Sequence, residues 1–313
     1  MTTRIDTPVD TLVSYHYFRR DEVMRALTGT KKLRLIADSG AFSAFSQGAE
    51  IALDEYAQWC RTWSDHLCWT ASLDVFGNPR ASYANWRTLL DEHGLRTVPT
   101  IHIGTDPTWL DTYADAGVDF VGLGGMVGRG TGVIRWVVHV LRYARDRHPA
   151  MRFHGWGVTA PTMLDRVPLY SADSSGLVNQ ACRFGSLRLY DPRTRTHRTF
   201  RLDGRTPHQH RRLLSEVYGV SAAQVATSHA SNRAQIIQLC AAATQLYAAD
   251  LQRRHRVTAP SWGINHAAPS MPGDALTGPR VHMVSAQPKD FPRLLGLDPH
   301  QLLPTPTRRT AQR

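Results

Sequence analysis

Apolar and polar positions follow two alternating periods along most of the chain. Residues 12–18 are rich in β formers and predict a strand, with a short helix over 19–27. An apolar run over 33–37 predicts a buried strand that ends on Asp38. Residues 54–64 predict a helix, because Tyr56, Trp59, Cys60 and Trp63 fall on one face. A third strand, 68–73, runs into Asp74, and a helix over 83–92 is stopped by Gly94. Residues 96–103 predict a fourth strand. Asp106 as cap and Pro107 at the first helical position then begin a helix that reaches Gly117. A fifth strand over 118–123 precedes Gly124 and Gly125, and an amphipathic helix covers 133–147. A sixth strand, 152–158, is followed by a helical turn over 161–166. The seventh strand, 169–172, ends on Asp173.

Strand and helix alternate at roughly 25 to 30 residues per unit, the rhythm of parallel βα units. With the last third of the chain still to come, seven units predict an α/β fold of the (β/α)8 TIM-barrel type rather than a doubly wound sheet. No GxGxxG follows the first strand, which weighs against a dinucleotide fold. After Asp173 the rhythm breaks. Residues 186–190 and 196–202 flank Asp191-Pro192-Arg193 and predict an inserted hairpin. Residues 224–255 predict a long helix packing through Ile236, Ile237, Leu239, Cys240 and Leu246. Residues 1–200 thus hold most of the catalytic barrel. Residues 201–300 form a helical C-terminal part that completes it and binds nucleic acid, and 301–313 are a loose tail. No internal repeat is visible.

Composition narrows the class. Of 313 residues 42% are hydrophobic, enough for a substantial core. No run approaches the roughly 18 to 20 apolar residues of a membrane span. The first residues lack the apolar core of a signal peptide. Cys60, Cys68, Cys182 and Cys240 show neither zinc-knuckle spacing nor a disulfide framework. A soluble cytoplasmic protein is expected, with no membrane partner. The net charge is +11, and Lys occurs only at Lys31, Lys32 and Lys289. Arg offers a planar fork to phosphates, although a GC-rich genome would also favour it.

The candidate chemistry lies at the strand ends. In order these are Asp38, Asp74, His102 with Gly104, Gly122 to Gly125, His154 with Gly155 and Gly157, and Asp173. In a βα barrel all of them open on one rim, where the active site sits. Two chemistries use such a set. Paired carboxylates perform substitution at a sugar anomeric carbon. Alternatively, Asp and His bind a metal, as in a metal-dependent hydrolase. The metal reading wants clustered His, and the first strand offers His16 alone.

These residues carry a resemblance. The stretch Ala37-Asp38-Ser39-Gly40-Ala41-Phe42 is similar to the DSGGFQ-type motif of the tRNA-guanine transglycosylase superfamily. Residues 120–125, 153–157 and 171–175 look like its GGLAVGE, MGVG and nucleophile segments, in order and at matching spacing over about residues 12–185. The resemblance implies that Asp173 is the nucleophile at C1′ and Asp38 the general acid/base. Asp74 would then accept hydrogen bonds from guanine N1–H and its 2-amino group. It further implies that Phe42 stacks on the base, that His154 lies near its other face, and that Gly122, Leu123 and Gly124 meet its edge. Ser39, His102 and Gly155 complete the implied base site.

Departures from the pattern redirect the substrate. The family's tRNA enzymes carry a C-terminal zinc site, and after Asp173 this chain has only Cys182 and Cys240. No zinc or other cofactor is therefore expected. His102 and Ile103 replace the family's base-reading Gln, and Met126 and Val127 stand near its missing Glu. A neutral nitrile base such as preQ0 then fits better than an aminomethyl base. A short, zinc-free, Arg-rich relative resembles the DNA-guanine transglycosylases (DpdA-type) of phages and bacteria. These place 7-deazaguanine bases in DNA against restriction. The implied partners are DNA and a free 7-deazaguanine co-substrate, with a homodimer or an accessory DNA-docking protein left open. Arg183, Arg188, Arg193, Arg195, Arg198 and Arg201 form the candidate phosphate track. A tRNA enzyme and a non-catalytic nucleic-acid-binding barrel stay as alternatives.

Overall fold

The computed structural model describes residues 8–29, 33–130, 132–203, 206–226, 233–268 and 277–284. Seven strands come first: β1 (Val9–Ser14), β2 (Leu33–Asp38), β3 (Leu67–Thr70), β4 (Thr100–His102), β5 (Phe120–Gly124), β6 (Arg152–Gly155) and β7 (Ser171–Ser174). A hairpin follows, β8 (Ser186–Asp191) and β9 (Thr196–Arg201), then a short pair, β10 (Val257–Thr258) and β11 (Thr277–Gly278), and last β12 (Arg280–Val284). Between the strands lie α1 (Asp21–Thr28), α2 (Ala41–Ser46), α3 (Leu53–Trp63), α4 (Pro79–Asp91), α5 (Trp109–Asp115), α6 (Gly132–Arg147) and α7 (Pro161–Leu164). After β7 come α8 (Gly176–Phe184), α9 (Thr206–Gln209), α10 (Arg211–Glu216), α11 (Ala222–Val225) and α12 (Arg233–His255).

The fold is α/β. Eight parallel strands form one curled sheet in the order β3-β2-β1-β12-β7-β6-β5-β4. Its two edges approach at a parallel bridge between Ala71 and Val98. There Val98 N–H donates to Thr70 O and Ser72 N–H to Val98 O, both at 2.8 Å.

Side chains alternate between the two faces of each strand. The register sets Asp10 beside Arg34, Leu12 beside Ile36 and Ser14 beside Asp38. It also sets Arg280 beside Ser171 and His282 beside Asp173. The interior therefore rises in layers. At the base, the buried Asp10 carboxylate accepts from Arg34 Nε at 2.7 Å and Arg280 Nε at 3.3 Å. Above it Trp69 meets His154 and His282 edge-on, at 4.9 Å and 6.5 Å. The polar layer of Ser14, Asp38 and Asp173 comes last, at the C-terminal strand ends. The other face is apolar. Val9, Val13, Leu33 and Leu35 pack with Tyr56 and Trp59 of α3 and with Ile236 and Cys240 of α12. This burial on both faces explains the near-continuous apolar runs of the strands.

Several boundaries differ from the sequence expectation. The first strand lies earlier than 12–18, because Tyr17 and Phe18 N–H turn back onto Ser14 O. The third stops at Thr70, so Asp74 stands in the following loop rather than at the strand end. Asp106 closes a turn through Thr108 N–H at 2.9 Å, and the helix begins only at Trp109. The helix expected over 224–255 is described as α11 and α12, with 227–232 outside the described residues. The eighth sheet strand, β12, has no counterpart among the strands read from the sequence. The tail over 301–313 also lies outside the described residues.

Candidate active site

The C-terminal strand ends surround a cavity of about 580 Å³. Asp38, Asp74 and Asp173 all line it, together with His102, Arg129 and Trp156.

Asp38 closes β2, and its position depends on the turn that follows. Gly40 takes φ +77°, and a Cβ there would stand 2.5 Å from His16 Cβ and 2.6 Å from Ser14 Oγ. Only glycine fits that backbone. The turn lets Gly40 N–H donate to Asp38 Oδ2 at 3.0 Å. Burial, and then the neighbouring charges of Asp74 and Asp173, push the Asp38 carboxyl up to about 7. The Gly40 N–H and the Ser14 hydroxyl oppose that rise. Ser14 Oγ favours the Asp38 anion from nearby, without a hydrogen bond of normal geometry among the described residues.

Asp173 is held differently. Its Oδ1 accepts from Gly157 N–H at 3.0 Å and meets His154 Nε2 at 3.1 Å. His154 is fully buried, and its Nδ1 lies 2.7 Å from Ser171 Oγ. Burial, only partly opposed by Asp173, lowers the His154 pKa and so favours the neutral ring. With the proton on Nε2, Nδ1 accepts from the Ser171 hydroxyl and Nε2 donates to Asp173. Both donors take Oδ1, and none among the described residues takes Oδ2.

Asp74 sits in a loop tied down by α4. Asn85 Nδ2 donates to Leu73 O at 3.0 Å, and Val75 N–H to Ser82 Oγ at 2.9 Å. Asp74 Oδ2 pairs with His102 Nε2 at 2.6 Å. The His102 ring in turn leans on Phe76 at 4.8 Å. At the mouth, Phe42 tilts against Phe76 at 5.9 Å and Phe45 stacks on it at 5.8 Å. Phe42 is 56% exposed and Phe45 67%, so the lip offers open aromatic faces.

The cavity gathers some of the expected base-site residues and excludes others. Phe42, Asp74, His102 and Gly124 line it. His154 does not: it lies buried behind Asp173 and positions that carboxylate. Gly122 is covered, since a Cβ there would meet Trp156 Nε1 at 2.2 Å and Thr100 Oγ1 at 2.7 Å. Leu123 is wholly buried, and its carbonyl is taken by Trp156 N–H at 2.9 Å. Gly155 faces away from the cavity, against the Leu169 side chain. Ser39 is buried, and its hydroxyl accepts from Ala41 N–H at 3.3 Å. A period-two strand can show only alternate residues to the interior, and the glycine-rich motifs did not mark which ones. Sequence reasoning gave no role to Trp156, Phe76, Ser14 or Arg129. Arg129 is the one Lys or Arg lining the cavity among the described residues. Its signal was a single cation inside the glycine-rich loop after β5.

The arginine track is less uniform than its sequence suggested. Arg193 is claimed by Asp191 and Glu216, Arg195 by Asp250 at 3.1 Å, and Arg201 by Asp203 at 3.6 Å. Arg188 turns inward, and burial lowers its pKa. Arg183 and Arg198 remain exposed.

The four cysteines are free and buried. Among the described residues no three His, Cys, Asp or Glu side chains group as a metal site. No described helix is long and apolar enough to cross a membrane. Compared with known protein families, curated proteins and solved structures, the chain matches none of them.

Proposed function

We propose that the curled sheet is a complete (β/α)8 barrel and that the chain is a DNA-guanine transglycosylase. It exchanges guanine in DNA for a 7-deazaguanine base such as preQ0. The convergence of Asp38, Asp74 and Asp173 on one cavity, with Asp38 held near neutrality, carries this reading. The Ala71–Val98 bridge between the sheet edges supports the barrel.

Asp173 is fixed through Oδ1, which leaves Oδ2 for attack on C1′ of the target nucleotide. As the Oδ2–C1′ bond forms, the C1′–N9 bond breaks and its electron pair leaves with guanine. The Asp38 carboxyl gives its proton to the departing base. The incoming 7-deazaguanine loses its N9 proton to Asp38, and N9 attacks C1′. The ester breaks, and Asp173 is released as a carboxylate. A pKa of about 7 suits a group that must donate and then accept near neutral pH. Asp74, held by His102, presents an acceptor to the paired N1–H and 2-amino donors of a guanine-like base. Phe42 supplies an aromatic face beside it. A duplex target must leave its stack to reach C1′. In a phage, the product would shield DNA from restriction.

Incubation with labelled preQ0, DNA and tRNA side by side tests the reading. Label is expected in DNA. Label in tRNA alone would move the substrate to tRNA, and label in neither would end the assignment.

A further inference from the structure

A second concave site lies away from the three aspartates, between the hairpin and the short helices after it. Its volume is about 360 Å³, and Arg198, Gln209, His210, Arg211 and Arg212 line it. Three arginines thus line the hollow, and one carboxylate, Asp191, shares its wall. That carboxylate is largely committed. It accepts from Arg193 N–H at 3.1 Å, Nε at 2.9 Å and Nη2 at 3.0 Å. It still feels the Arg198 charge, and Arg193 is further paired with Glu216, so two carboxylates face four guanidiniums and the hollow keeps a net positive charge. The Arg198, Arg211 and Arg212 side chains form no ion pair with an acid among the described residues, whereas Arg193, Arg195 and Arg201 do.

Repulsion between like charges in a concave wall costs stability unless an anion offsets it. His210 is built in, with its ring stacked on Phe200 at 4.6 Å and 25°. Gln209 and His210 add hydrogen-bonding groups beside the guanidiniums. A fork of guanidinium N–H groups matches the oxygens of a phosphodiester.

We propose that this hollow binds a backbone phosphate of the nucleic-acid substrate, and that Arg198, Arg211 and Arg212, not the paired hairpin arginines, are the phosphate contacts. The inference rests on the nucleic-acid reading above and replaces its evenly spaced track with one localised anchor.

The test is fluorescence anisotropy of labelled duplex DNA over a salt series, with the full chain. The variants are R198Q/R211Q/R212Q and, as a control on a paired arginine outside the hollow, R195Q. The triple variant should bind about tenfold or more weakly near 0.1 M salt, with the log–log salt slope shallower by about 1, as for one phosphate contact. R195Q should keep the wild-type slope. An unchanged slope in the triple variant, or an equal loss in R195Q, overturns the proposal. So does a triple variant that loses thermal stabilisation by pyrophosphate while keeping its DNA affinity, because the hollow would then serve a free phosphate ester. Base exchange is measured on the same DNA. Wild-type exchange with an unchanged variant slope sinks the anchor alone. A salt-dependent loss in the variant without wild-type exchange supports the anchor and sinks the transglycosylase.

Discussion

At the scale of single residues, Asp38 is the centre of the proposed chemistry, and its burial carries a cost in stability. Burial and two neighbouring carboxylates lift its pKa to about 7, against an ordinary value of 3.8. Between those two values the folded state holds a proton that the unfolded state has released, so stability falls as pH rises through this window. Asp38→Asn removes the ionisation. It should raise the melting temperature by a few degrees at pH 8 and by little at pH 4, while abolishing exchange. Calorimetry at the two pH values checks this, and an equal shift at both would contradict it. Wild-type exchange should decline above about pH 7, as Asp38 loses the proton that the first step needs. His154 acts through Asp173. His154→Ala should lower kcat about a hundredfold and leave KM for DNA near its wild-type value. A change in KM alone would show that His154 contacts substrate instead. The three aspartates were legible in the sequence because each follows an apolar run. The neighbouring glycines misled, because a glycine marks close approach without saying to what. At Gly122 the approaching group is the Trp156 indole.

At the scale of elements, strands and helices could be read from periodicity because parallel strands are apolar on both faces. The eighth strand could not. The run Arg280-Val281-His282-Met283-Val284 alternates charged or polar with apolar, and its polar members point inward. They are tolerated there because β12 docks between β1 and β7, where Arg280 meets Asp10. That contact is non-local and leaves no mark in a sequence window. Asp10 therefore holds the last strand to the first two. Its carboxyl is drawn down to about 2 by Arg280 and Arg34, which outweigh its burial. The contribution is present above the ordinary carboxylate range and is lost as pH falls through about 2. Asp10→Asn removes the buried carboxylate that Arg34 and Arg280 share. It should destabilise by about 3 to 5 kcal/mol at pH 7, as measured by urea denaturation. A loss below about 1 kcal/mol would show that the arginines find other partners.

At the scale of the whole molecule, the chain returns from its hairpin and long helix to insert β12 beside β7, so the late segment completes the sheet around the cavity. The net charge of +11 is then sorted rather than spread. Acids pair with Arg193, Arg195 and Arg201 of the hairpin, Arg198, Arg211 and Arg212 line one hollow, and the strand-end cavity keeps three carboxylates and Arg129. Under the proposed function, a polyanion would be held at the hollow while one nucleotide enters the acidic cavity. The most direct measurement of this arrangement is intact mass after denaturation of the protein incubated with a short guanine-containing DNA and no incoming base. Wild type should show a mass increase equal to the DNA less one guanine, and free preQ0 should discharge it. Asp173→Ala should show none. An adduct that persists in Asp173→Ala, or wild-type exchange with no adduct at any time point, would contradict the account.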